Sequence, residues 1–268
     1  MRNIEKYGNW ALVTGAAKGL GREFCKKIAS QKLNLVLVDI DETESNVLAN
    51  ELQNEFGIQC RAINVDLSDE TFLEELEPAI VDLNIGLLVN NAGVGCGGSF
   101  ASRDPKKLAA VVKINCLAPI LLTRLLLPGM LQQGRGGIVF VSSLQAFISS
   151  PYEATYCASK AFNLHFGESL AGELRKKPVD CITVCPGGMK TEFFLAEGLS
   201  QKDSDRMWKY SAEPEDIAEL ALNRLGRQPV VSPKITLAVN LASRFLPRRF
   251  MTWGSERVAR KLVKYERT

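Results

Sequence analysis

A doubly wound α/β fold built on a mostly parallel sheet is the class this sequence predicts. Three observations predict it. Short, nearly continuous apolar runs alternate with longer helical patterns. A glycine-rich turn follows the first run directly. The 268 residues, 46% apolar and 24% charged, suit one large globular domain that needs no disulfide or metal for its core.

The runs are Trp10–Val13, Leu33–Val38, Cys60–Val65, Ile85–Val89, Gly137–Val141 and Val179–Val184. Unbroken hydrophobicity suits strands covered on both faces, as parallel strands are. Between them Gly21–Gln31, Thr43–Phe56, Asp69–Leu83, Pro105–Gln133 and Ala154–Lys176 are each long enough for a crossover helix. Repeated units of this kind place helices on both faces of the sheet. No repeat, low-complexity tract or linker interrupts the chain before Gly226, so residues 1–268 read as one domain with a core over about 8–226.

The net charge of +3 is too small to imply a nucleic-acid partner, and none is expected. It is unevenly spread: residues 226–268 carry ten basic and two acidic side chains, +8, which leaves −5 for the rest. The seven cysteines (25, 60, 96, 116, 157, 181 and 185) show no CxxC spacing, and the single His165 cannot complete a metal set. A reducing compartment is the plain reading, so a cytoplasmic location is expected. The first nine residues hold no apolar signal core, and no run is expected to span a bilayer.

The first strand runs into Thr14-Gly15-Ala16-Ala17-Lys18-Gly19-Leu20-Gly21. Such a turn lets the backbone approach a pyrophosphate while the following helix offers free N–H groups and a positive dipole end. Taken alone it can also be read as a tight strand-to-helix connection, the lesser of the two readings. Asp39 ends the second strand, about where an acid accepts hydrogen bonds from an adenosine ribose and repels a 2′-phosphate. It favours NAD; Lys18, in the turn, argues for NADP, and Asp39 is taken to win. Asp66, beside Leu67 after the third strand, either accepts from the adenine amino group or caps the next helix.

Tyr156 and Lys160 lie four apart in a helical pattern and share a face. A nearby ammonium favours the phenolate and lowers a tyrosine pKa that is ordinarily ~10. Ser143 follows a strand at the carboxyl end, where ligands of open α/β sheets bind. Separately, a surface Tyr/Lys pair and an ordinary strand end explain these residues as well.

Together with Asn90-Asn91-Ala92-Gly93 and Pro186-Gly187-Gly188-Met189-Lys190-Thr191, in this order and spacing, the chain resembles the short-chain dehydrogenase/reductase family. The resemblance implies a three-layer Rossmann fold with a seven-stranded sheet, the last strand near Pro229–Ser232. It implies hydride transfer between NAD (NADP being the alternative) and a carbonyl or alcohol. Tyr156 would be the acid–base, Ser143 would orient the carbonyl, Lys160 would tune Tyr156 and bind the nicotinamide ribose, and Asn115 would help hold a relay water. Asn91, Ala92 and Gly93 would lie beside the cofactor, with Pro186, Gly187, Met189 and Thr191 around the nicotinamide. Homodimers or homotetramers through the helices of Asn115 and Tyr156 are implied too. Pro119 is expected to kink its helix without displacing Asn115.

The resemblance implies that the segment after Pro186–Thr191 covers the substrate; its Phe193, Phe194, Leu195, Leu199, Met207, Trp208 and Tyr210 would make an apolar lid over a lipid-like substrate, with Gly95–Ser99 as another wall. His165 reads as a packed residue without a role, and Cys157 as packing, although a modified thiol there would block the site. The basic amphipathic stretch Lys234–Phe250 reads first as a helix docked on its own domain or a partner subunit. Peripheral attachment to an anionic membrane is its alternative.

Overall fold

The computed structural model describes residues 3–189 and 211–262. Seven strands form one parallel sheet: β1 (Trp10–Thr14), β2 (Asn34–Asp39), β3 (Cys60–Asn64), β4 (Ile85–Asn90), β5 (Gly136–Val141), β6 (Val179–Val184) and β7 (Val230–Val231). Their spatial order is β3-β2-β1-β4-β5-β6-β7. Helices α1 (Gly19–Ala29), α2 (Glu42–Phe56), α3 (Phe72–Ile80), α4 (Pro105–Val112), α5 (Ala118–Gln132) and α6 (Ala154–Leu174) provide the connections. Beyond residue 210 come α7 (Pro214–Arg224), α8 (Lys234–Phe245) and α9 (Arg248–Leu262).

The unbroken apolar runs are explained by two cores, one on each face. Ala11, Val13, Leu35, Leu37 and Val89 pack with α1, α2 and α7 through Phe24, Ile28, Leu48 and Leu222. The alternate residues Leu12, Val36, Leu88, Ile138 and Phe140 pack with α3, α5 and α6 through Phe72, Leu76, Leu122 and Leu170. Period-two alternation feeds both cores, so every position must be apolar. The seventh strand lies where it was expected and pairs Val230 and Val231 with Thr183 and Val184.

Helix α3 is shorter than its periodicity predicts. Asp66 and Asp69 accept N–H bonds from Ser68 and Thr71 (2.8 and 2.9 Å), and these local turns use up the residues before Phe72. Asp66 therefore does not cap the helix. The helix after β4 stays continuous through Pro119 by one π-helical turn, Lys113–Leu117, between α4 and α5. That continuity corrects one expectation: among the described residues, Pro105–Gln132 is long and apolar enough to cross a membrane by length and composition. Its α5 half packs against β4 and β5, as a helix flanking a sheet does. The basic stretch also differs from its reading as one helix, because Leu246 adopts an extended conformation ahead of Pro247 and splits it into α8 and α9.

Candidate active site and dinucleotide cradle

In this strand order the chain leaves β1 toward β2 on one side and later reaches β4 on the other, opening a crevice at the carboxyl ends of β1 and β4. The glycine turn lines it. Gly15 and Gly19 have φ of +61° and +53°, and a Cβ on Gly21 would overlap the Gly15 carbonyl oxygen. Thr14 and Asn91 brace the turn. Asn91 Nδ2 donates to the carbonyls of Thr14 and Gly15 (2.9 and 3.0 Å), and Thr14 Oγ1 accepts from the amides of Asn91 and Ala92 (3.1 and 3.0 Å). The Asn91 side chain is thus a strut. Thr14 was quoted in the motif without a role, and its position at the strand end was the available signal.

The donor set fits a dinucleotide. The crevice walls are backbone pared of side chains: a Cβ on Gly15 would come within 3.0 Å of Ala92 Cα, and one on Gly93 within 3.0 Å of Lys160 Nζ. Gly19 and Leu20 open α1, whose first amides face the turn. Asp39 is half-buried; its carboxylate accepts from the amides of Ala17 (2.9 Å) and Asp41 (3.0 Å). Lys18 Nζ reaches Asp41 Oδ2 at 2.7 Å, and Asp41 also caps α2 by accepting from Glu44 N (3.1 Å). The hydrogen bond from Lys18, then that from the Glu44 amide, holds the Asp41 carboxyl below its usual range. Asp66 is exposed at the end of β3 beside buried Leu67.

Across the crevice, α6 presents Tyr156 and Lys160. Lys160 is only 3% exposed, and its Nζ donates to the Val141 carbonyl at 3.0 Å while lying 5.6 Å from the Tyr156 ring centre. Burial pushes its pKa down from 10.5 to about 8. Ser142 Oγ donates to the Lys160 carbonyl at 2.7 Å, which ties α6 to the end of β5. Asn115, fully buried in the π turn, bonds Val94 in both directions: its Nδ2 donates to Val94 O and its Oδ1 accepts from Val94 N, both at 2.9 Å. The same Nδ2 donates to Ser159 Oγ (2.9 Å), and Ser159 donates to the Tyr156 carbonyl (2.7 Å). Ser142 and Ser159 are the positioning residues that sequence reasoning missed; Ser159 lies within the Tyr156–Lys160 motif itself. Pro119 has no N–H, so the Asn115 carbonyl, four residues earlier, lacks its α-helical donor.

Ser143 Oγ accepts from the Gln145 amide at 3.2 Å and opens a 3-10 turn, Leu144–Ala146, whose Leu144 amide donates to the Pro186 carbonyl at 2.6 Å. That bond brings Pro186 and Gly187 alongside the serine. Met189 pairs with Ala212 in an isolated bridge. Thr191 and the expected lid residues, Phe193 to Tyr210, lie outside the described residues. The Gly95–Ser99 wall is joined to the start of α6 by Gly98 N donating to Tyr152 O (2.7 Å), where Tyr152 has φ of +71°. Burial pushes the Cys157 thiol up to about 11, which leaves it inert. His165 corrects its reading as a packed residue: its side chain is 79% exposed, with Glu168 3.8 Å away, because it falls on the outer face of α6.

The model of the short chain dehydrogenase family matches residues 9–201. The chain belongs to the short-chain dehydrogenase family. Within it, the chain is 37% identical to the very-long-chain 3-oxoacyl-CoA reductase of Neurospora crassa over 67% of its own length and 56% of that protein's. It thus spans little more than half of that relative. It is 29% identical to the inactive hydroxysteroid dehydrogenase-like protein 1 of Pongo abelii, over 97% of its length and 79% of the relative's. Among solved short-chain dehydrogenases, a 7β-hydroxysteroid dehydrogenase superposes with a TM-score of 0.87 at 26% identity, covering 95% of this chain and 99% of that one. The family enzyme of Sphingobium yanoikuyae, in complex with NADPH, gives 0.79 at 26% identity over 88% and 92% of the two chains. That of Burkholderia phymatum, in complex with NAD, gives 0.80 at 26% identity over 90% and 95%.

Proposed function

We propose that this chain is an oxidoreductase that interconverts a secondary alcohol and a ketone with NAD(H), on an apolar, lipid-like substrate. The observation that carries this reading is the buried Lys160 beside Tyr156, joined through Ser159 to Asn115 beneath one crevice. A nicotinamide dinucleotide supplies the hydride donor or acceptor when bound. Gly15, Ala17, Gly19 and Gly21 would hold its pyrophosphate, Asp39 its adenosine ribose, and Asn91–Gly93 with Pro186 and Gly187 its nicotinamide end. Tyr156 gives a proton to the substrate oxygen during reduction and takes it back during oxidation, Ser143 orients that oxygen, and Lys160 stabilises the phenolate electrostatically.

The NAD preference rests on Asp39 and on the Lys18–Asp41 pair, which engages the one basic side chain of the glycine turn. A lipid-like substrate accords with relatives named for very-long-chain acyl and hydroxysteroid chemistry. NADPH-dependent reduction of a ketone or 3-oxoacyl group is the second reading, favoured for the reaction by the similarity to the Neurospora reductase and for the cofactor by that to the NADPH-bound Sphingobium enzyme. A dinucleotide sensor without turnover is the third, favoured by the relative named inactive; here, however, Ser143, Tyr156, Lys160 and Asn115 are all present. A homodimer or homotetramer joined through the helices of Asn115 and Tyr156 accords with the apolar side chains that Val112, Leu117 and Leu131 expose along the first of them. The reading places the enzyme in the cytoplasm.

Fluorescence titration with NADH and NADPH, followed by turnover of apolar ketones, tests the reading. NADH is expected to bind more tightly, and Tyr156→Phe to abolish turnover while NADH binding persists. Undiminished turnover in that variant overturns the mechanism.

A further inference from the structure

Six of the fourteen exposed large apolar side chains among the described residues fall between 237 and 253. Leu237, Leu241 and Phe245, four apart, form one stripe of α8; Leu246 lies at the break, and Phe250 and Trp253 continue on α9. Phe245 is 83% exposed and Trp253 53%. The same corner exposes Arg244, Arg248, Arg249 and Arg257. Arg257 stacks 3.9 Å over the Trp253 ring and Arg249 4.8 Å over Phe250. Two of the four cations thus lie against an aromatic ring.

We infer that the α8–α9 corner docks on an anionic lipid surface, its aromatic and leucine side chains entering the headgroup boundary while its arginines meet lipid phosphates and carboxylates. Interleaved aromatic and basic residues suit that boundary, where one end of a side chain is dry and the other wet. Charge decides between occupants. Residues 234–257 hold five basic side chains and one acid, Glu256. A self-complementary contact between two copies would press two positive surfaces together, whereas an anionic leaflet neutralises them.

The corner is fixed to the rest of the molecule at a telling place. Ser255 Oγ donates to the Ser149 carbonyl at 2.6 Å, and α8 packs on the 3-10 turn Leu144–Ala146. Both contacts fall on the segment between Ser143 and Tyr156, so a docked membrane would lie beside the mouth of the crevice. The docking is independent of the proposed activity; only its use, presentation of a lipid-like substrate, rests on that reading.

The test is co-sedimentation of the full chain with phosphatidylcholine vesicles, with and without about a third phosphatidylserine. Binding to the anionic vesicles is expected, reversed by salt, and weak on phosphatidylcholine alone. Arg244→Gln/Arg248→Gln/Arg249→Gln should weaken it on the order of 100-fold, and Phe245→Ser/Trp253→Ser should abolish it. Unchanged NADH titration or melting temperature shows that the variants are folded. Absence of binding, binding indifferent to phosphatidylserine, or binding that survives both sets of substitutions overturns the inference. So does a change in sedimentation coefficient in place of lipid binding, which would assign the corner to a second copy.

Discussion

Lys160 shows what a buried charge does to this molecule. In the unfolded chain it titrates at the ordinary 10.5, and in the folded chain burial brings this to about 8. The difference is on the order of 3 kcal/mol against the charged native form. Below about 8 both states are protonated and the native state bears that cost. As pH rises through about 8 the native lysine loses its proton first, and the cost shrinks. Lys160→Met is therefore expected to melt above the wild type at about pH 7 without cofactor, with the gap narrowing by about pH 9.5. Thermal unfolding at the two pH values checks it, and a gap that widens contradicts the assignment. At the cofactor end, Asp41→Asn removes the carboxylate that Lys18 pairs with and should strengthen NADPH binding on the order of tenfold, a charge-assisted phosphate bond being worth that much. An unmoved NADPH affinity would mean that Lys18 does not reach the 2′-phosphate site.

At the scale of elements, the helix from Pro105 to Gln132 was legible as a unit, but its internal π turn was not. Pro119 signals a fault in helical hydrogen bonding; whether the chain kinks or inserts a wider turn depends on what the neighbouring groups bond instead. Here Asn115 is held by Val94 and Ser159, and the turn widens around it. Pro119→Ala supplies the missing N–H to the Asn115 carbonyl. The expected result is a melting temperature equal to or above the wild type with lower kcat, read from parallel unfolding and turnover assays. Equal kcat would count against the expectation that Asn115 helps hold a relay water through this carbonyl. The same limit explains the start of α3, expected at Asp69, where residues 69–71 instead form a turn bonded to the Asp69 carboxylate.

For the whole molecule, the proposed assembly is testable through the apolar outer surface of the same helix. Leu117 is 38% exposed on the π turn that carries Asn115. Leu117→Glu should convert an oligomer to monomer in sedimentation velocity, since a charge buried in a subunit contact costs several kcal/mol. A wild type that already sediments as a monomer removes the proposal.

Asn115 came only from the family resemblance, whereas the sequence by itself determined the sheet, the glycine turn, Ser143 at a strand's carboxyl end and the shared helical face of Tyr156 and Lys160. These follow from local patterns: unbroken strand hydrophobicity, glycines at fixed spacing, and two side chains one helical turn apart. Only the tertiary structure decided that Asp41 engages Lys18, that Ser159 joins Tyr156 to Asn115, that His165 faces solvent and that the basic stretch breaks into an exposed aromatic corner. Each of those depends on which distant group reaches a side chain first, or on which face of a helix the fold covers. Linear periodicity does not encode that competition, because it is settled by three-dimensional distance.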